Sequence, residues 1–283
     1  MQNKRQGILL ILVSSLFFAI MAAAVKAVPN IPLPEKIFFR NVIGLVAVGI
    51  PMARQGISFK PNNTKLVLLR FVLGLSGVAM YYQSISMLQL SDAVIINKLS
   101  PFFVLILSVI FLKEKIKQYQ IGALVLAIAG AMLVVKPGFN FDLLPAVIGI
   151  TGAFFAGSAY TTIRKLSAFD KPQVIVFYFC LLSTLATIPF IVAGQFVVPT
   201  WTELGFLLII GLAALMAQIA MTNAYRHAPA SQLAIYTYAN VVFSIFFGIV
   251  LWAEIPDLWT LAGAGIIITA SLINTYGNFK QAQ

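Results

Sequence analysis

Apolar residues run along this chain in blocks of about twenty, the length that crosses the hydrocarbon core of a bilayer as one helix. Ten such blocks are read, at 7–27, 33–53, 66–88, 92–112, 118–136, 143–163, 173–193, 203–225, 230–252 and 258–277. The turns between them are short and carry helix breakers, as in Pro29-Asn30, Pro61-Asn62-Asn63 and Pro137-Gly138. The pattern predicts an all-α integral membrane protein.

One segment occurs twice. LSPFFVLILSVIFLKE runs from Leu99 to Glu114, and ANVVFSIFFGIVLWAE from Ala239 to Glu254. Each closes on a glutamate and is followed by one more apolar run. The identities are few (Phe103 with Phe243, Glu114 with Glu254), so hydropathy and spacing carry the repeat. It divides the chain into halves of five spans, 1–138 and 139–283. Two related halves in one membrane chain are the common build of a small-molecule transporter.

Composition agrees with lipid as the solvent: mean hydropathy is +0.96, and 60% of the residues are hydrophobic against 10% charged. Cys180 is the lone cysteine, which excludes an intrachain disulfide and a cysteine metal cluster. Lys4, Arg5 and Ala22-Ala23-Ala24 give the first block the look of a secretory signal. It is read as a retained span, because Phe17-Phe18-Ala19 is echoed by Phe154-Phe155-Ala156 in the second half.

The net charge of +11 is spread over loops and does not form a soluble nucleic-acid patch. With a cytoplasmic N-terminus, ten spans put Lys4, Arg5, Arg54, Lys60, Lys65, Arg70, Lys113, Lys115, Lys117, Arg164, Lys165, Lys171, Arg226 and Lys280 inside. Lys26, Lys36 and Lys136 fall outside, with six of the eight acids: Glu35, Asp92, Asp142, Glu203, Glu254 and Asp257. This is the positive-inside bias, so most loop bases are assigned to topology and both termini to the cytoplasm. Five spans per half is an odd number. The second half therefore lies inverted relative to the first, as in carriers with a site near the midplane.

These features together resemble the EamA-type transporters of the drug/metabolite transporter superfamily. The resemblance covers nearly the whole chain. It rests on two five-span halves, on Arg40 in Phe38-Phe39-Arg40-Asn41, and on a fourth span running from Ser100-Pro101 to Leu112-Lys113-Glu114. The second half departs from the pattern with Val241 where the proline would stand. The resemblance implies a cytoplasmic-membrane carrier working by alternating access. It implies that spans one, three, four, six, eight and nine line the cavity, with the fifth and tenth at the periphery. Substrates in the family include amino acids, nucleotide-like and sugar-like metabolites, drugs and S-adenosylmethionine.

Two cations sit within spans. Arg40 lies about seven residues into the second and Lys98 about six into the fourth, each roughly 10 Å deep at 1.5 Å per residue. A charge at such depth faces protein or a water-filled cavity. No acid is placed at that depth, so a substrate carboxylate or phosphate is the expected counter-charge, and Arg can bind it in bidentate fashion. The structural alternatives are bonding of Arg40 to carbonyls of a broken helix and snorkelling of Lys98. Without a deep acid, and with His227 at a span boundary, facilitated diffusion or exchange is favoured over proton coupling.

Polar stripes mark further candidates. Tyr82 and Ser86 share a face of the third span, beside Tyr81 and Gln83. Asn97, Lys98 and Pro101 open the fourth, and Pro101 removes the helical donor to the Asn97 carbonyl. Gln232, Tyr236 and Asn240 form a stripe in the ninth, flanked by Tyr238, and Gln218 and Asn223 belong to the eighth. A polar stripe in lipid turns inward. The substrate-binding set is therefore Arg40, Lys98, Asn97, Tyr82, Ser86, Tyr236, Asn240 and Gln218, with no metal and no cofactor expected. Gly74, Gly77 and Ala79, then Gly122, Ala129 and Gly130, and Gly263, Gly265 and Ala270, form small-residue faces. Packing within the chain is their simpler use, and a homodimer the other. The expected partners are a small-molecule substrate and the lipid bilayer. The primary expectation is a metabolite carrier whose substrate bears a carboxylate. The rivals are a multidrug exporter of lipophilic cations and a non-transporting assembly partner. An enzyme is disfavoured: one His, one Cys and no nucleotide loop leave no catalytic constellation.

Overall fold

The computed structural model describes residues 4–112, 118–135, 143–166, 168–227 and 234–280. The described residues form helices and turns with no strand. In chain order the helices are α1 (Lys4–Ala27), α2 (Leu33–Arg54), α3 (Thr64–Met87), α4 (Leu90–Asn97), α5 (Ser100–Leu112), α6 (Gln118–Val135), α7 (Leu144–Leu166), α8 (Pro172–Phe190), α9 (Trp201–His227), α10 (Ala239–Trp252) and α11 (Leu258–Lys280). A 3₁₀ turn, Ala234–Tyr238, leads into α10. The fourth span is the broken pair α4/α5, and the ninth is the 3₁₀ turn with α10, so the ten expected segments are present. Glu114 with the basic turn 113–117, Pro137-Gly138 and Gln232 lie outside the described residues.

Local chemistry sets the helix ends. Asn63 caps α3 by accepting from the Leu66 N–H at 3.1 Å. Proline opens α2 and α8, where a missing N–H costs nothing. Pro189 near the end of α8 is followed by a π turn, Ile191–Gln195. Large apolar side chains cover the outer surface, among them Val46, Ile50, Val125, Met132, Leu212 and Ile249. That surface suits lipid and would not suit water.

The helix pairing expresses an inverted repeat. Contacts between the two halves include α1 with α9, α3 with α7, α2 with α8, α6 with α11, and α4 with α10. In span numbers these are one with eight, three with six, two with seven, five with ten and four with nine. Exchanging each span for its equivalent in the other half reproduces the same set, as a pseudo-twofold axis in the membrane plane requires. Spans five and ten meet through backbone. A Cβ built on Gly263 would fall 2.5 Å from the Gly130 carbonyl oxygen, closer than any side chain permits. Gly130 and Gly263 are thus used within the chain, whereas Gly122 and Gly265 have nothing within 4 Å of such a Cβ.

Candidate functional site: a donor cluster between α2, α3 and α8

A Cβ on Gly44 would lie 2.9 Å from the Cys180 Sγ, and one on Gly49 3.3 Å from the Phe177 ring. This register runs α2 and α8 antiparallel and brings Arg40, one turn before Gly44, level with Ser183 and Thr184, one turn past Cys180. From α3, Arg70 stacks on Phe179, its Cζ 4.1 Å from the ring centroid. Its Nη1 lies over Gly74, where a Cβ would sit 1.7 Å away, so only glycine leaves room for it. The Cα–Cβ bond of a helical residue tilts toward the helix N-terminus, and snorkelling from this position would also run that way. Arg70 instead reaches toward the middle of α3, into the span.

Among the described residues, eight buried side-chain polar atoms have no hydrogen-bond partner. Seven of them belong to this one region: Nε and Nη1 of both Arg40 and Arg70, the Tyr82 hydroxyl, Ser183 Oγ and Thr184 Oγ1. Tyr82 and Ser183 are 2% and 0% exposed. All seven can donate, and neither arginine has an acceptor for these nitrogens. The ionisable groups acting on Arg70 are Tyr160, Arg40 and Cys180, and none is a carboxylate. Buried polar groups in native proteins are nearly always paired, so a concentration of orphaned donors has the chemistry of an anion site.

The other expected residues gather at the two helix breaks. Lys98 stands between α4 and α5 and donates from Nζ to the Thr237 carbonyl at 3.2 Å, with the Tyr238 ring centroid at 5.9 Å. Asn240 donates from Nδ2 to the Ser15 carbonyl at 3.1 Å, and Ser15 Oγ faces the Tyr236 carbonyl at 3.4 Å. Asn97 shares a hydrogen bond with Tyr81, whose ring centroid lies 6.3 Å from that of Tyr82. Ser86 is exposed on α3 and donates to its own helix, to the Gln83 carbonyl at 2.7 Å. Gln218 is exposed on α9. The structure therefore brings Arg40 and Tyr82 into one cluster, ties Lys98, Tyr236 and Asn240 into the crossing of the breaks, and leaves Ser86 and Gln218 apart.

Arg70 was expected among the inner loop bases; its guanidinium is instead buried beside Arg40. The signal was present, since it lies six residues past Thr64, as far in from the inner side on the expected topology as Arg40 or Lys98 from the outer. Ser183, Thr184, Cys180 and Tyr160 were also missed. Nothing in their spacing distinguishes them from ordinary span residues.

At one end of the bundle Lys26 and Glu254 form an ion pair joining the end of α1 to the second residue past α10. Lys26 Nζ also donates to the Leu88 carbonyl at 2.8 Å, and Glu254 Oε2 accepts from the Leu90 N–H at 2.8 Å. Glu254 is aimed there by Ala253, whose left-handed backbone (φ 55°, ψ 29°) ends α10.

Comparison with known proteins gives the same architecture. The chain matches the model of the EamA-like transporter family twice, over residues 5–136 and 143–276. It is 36% identical over 271 residues to the pseudopaline exporter CntI of Pseudomonas aeruginosa, covering 95% of each chain. It is 28% identical to solute carrier family 35 member G1 of Homo sapiens, covering 94% of this chain and 78% of that one. A solved crystal structure matches with a TM-score of 0.70 at 14% identity, covering 98% and 99% of the two chains. The chain belongs to the EamA-like transporter family within the drug/metabolite transporter superfamily and is a multi-pass membrane transporter.

Proposed function

We propose that this transporter moves a small carboxylate-bearing metabolite, an amino acid or amino-acid-like compound with S-adenosylmethionine among the candidates, across the cytoplasmic membrane by alternating access. The observation that carries the reading is the orphaned donor cluster of Arg40, Arg70, Tyr82, Ser183 and Thr184. A carboxylate offers about four lone-pair sites and one negative charge to a site that has donors only. Its arrival would replace water around the substrate with preoriented N–H and O–H groups, and would lower the cost of two like charges in a weakly polar interior. The chemistry of the cluster opposes the lipophilic-cation alternative, which needs an acid where this site holds arginines.

Alternating access draws support from the repeat and from the closed end at Lys26 and Glu254, which joins elements of both halves. The relative named as an exporter favours outward movement. With both termini in the cytoplasm, as the positive-inside bias implies, the Lys26–Glu254 end would face outward and the pair would close the bundle on that side. Facilitated diffusion or exchange fits a site lacking a proton-relay carboxylate.

The test is a thermal-shift panel on detergent-purified protein, comparing zwitterionic amino acids, simple carboxylates, S-adenosylmethionine and lipophilic cations. A ligand at about 100 times its dissociation constant stabilises by roughly 2.7 kcal/mol. Stabilisation by carboxylates in wild type and its loss in Arg40→Ala and Arg70→Ala is the expected result. Stabilisation by cations alone, kept in both variants, would refute it.

A further inference from the structure

The cluster holds two guanidiniums, and among the described residues neither forms an ion pair with a carboxylate. A single carboxylate would leave one guanidinium charge uncompensated in the interior, where an unpaired buried charge is strongly unfavourable. We infer that the ligand presents two anionic groups at this site, two carboxylates or one doubly ionised phosphate, shared between Arg40 and Arg70. The inference rests on the anion-site reading above and narrows it from one charge to two.

Three observations support the count. Each arginine leaves the same two nitrogens, Nε and Nη1, without a partner, so neither is the satisfied member of the pair. Arg70 stacks on Phe179, and the α2/α8 register sets Arg40 level with Ser183, one turn further along the same helix, so the two guanidiniums approach one stretch of α8. The hydroxyls of Tyr82, Ser183 and Thr184 add donors beyond those one carboxylate can accept from while also bridging two arginines. Tyr160 acts on Arg70 from α7 and is itself 53% exposed, so the cluster lies one side chain from the surface of the bundle.

The test uses the full-length protein in detergent and isothermal titration with acids matched in length: butyrate against succinate and valerate against glutarate. Methyl phosphate at a pH where it is doubly ionised forms a third arm. A dianion should bind about tenfold or more tightly than its matched monoanion, a gap of 1.4 kcal/mol per tenfold. The gap should shrink toward unity in Arg40→Gln and in Arg70→Gln, each of which leaves one cation. Tight succinate or glutarate with weak methyl phosphate identifies two separated carboxylates, and the reverse identifies phosphate. Equal affinity of succinate and butyrate for wild type overturns the two-charge inference and leaves the anion site standing. Absence of binding by every anion overturns both. The wild-type comparison decides even if a variant fails to fold.

Discussion

The Lys26–Glu254 pair allows a prediction with a worked magnitude. Glu254 makes two interactions through its two oxygens, one with Lys26 and one with the Leu90 N–H at 2.8 Å. Glu254→Gln keeps the shape, removes the charge and leaves one oxygen to accept where two did. A hydrogen bond to a charged group contributes about 1.5–3 kcal/mol. The two side chains are 13% and 18% exposed, partly reached by solvent, so the lower end applies: about 1.5–2 kcal/mol. That shifts a two-state equilibrium away from the closed end by roughly tenfold to thirtyfold. Val28 is fully buried just past α1 and reports on that end. In a Cys180→Ser background, Val28→Cys should react with a membrane-impermeant maleimide in proportion to the open population. Glu254→Gln should raise the labelling rate by the same roughly tenfold to thirtyfold. The swap Lys26→Glu with Glu254→Lys should restore slow labelling that neither single reversal keeps. An unchanged rate in Glu254→Gln would show that the pair does not hold this end closed.

Three further outcomes separate scaffold from site. Gly263→Val should destabilise the protein by about 1–3 kcal/mol in thermal melts, because its Cβ would meet the Gly130 carbonyl at 2.5 Å, while Gly265→Ala, with nothing near, should change little. Arg70→Met should leave unliganded stability unchanged or raise it by about 1–4 kcal/mol, since it removes one of two like buried charges, while abolishing ligand-induced stabilisation. Lys98→Ala should do the opposite to the unliganded protein, lowering its melting point through loss of the charge-assisted bond to the Thr237 carbonyl, a cost of about 1.5–3 kcal/mol.

The spans were legible because lipid imposes a length and a polarity on every crossing segment. Pro101 marked the break in the fourth span because it has no N–H to donate to the Asn97 carbonyl. The matching break at Ala234–Tyr238 has no proline, and Val241 stands where one would, so no local signal announced it. Arg40 was legible from depth. Arg70 was equally far into its span from the inner side, but its side-chain direction is set by Gly74 and Phe179, and the charge pattern of the loops drew it to the inner surface instead. Glu254 was read as a span end, which it is. Its partner Lys26 lies 228 residues away, beyond any spacing rule. Ser183 and Thr184 became informative only when their hydroxyls proved to be unpaired beside two arginines.

Flux of a carboxylate substrate through the purified protein tests the central claim most directly. Liposomes containing wild type, Arg40→Ala or Arg70→Ala would be loaded with the radiolabelled carboxylate that gives the largest thermal stabilisation, and release would be followed with and without unlabelled carboxylate outside. Protein-dependent release by wild type, lost in both arginine variants while they remain folded, is the expected result. Release that persists in both variants, or binding without any release from wild-type liposomes, would contradict a carboxylate carrier built on Arg40 and Arg70.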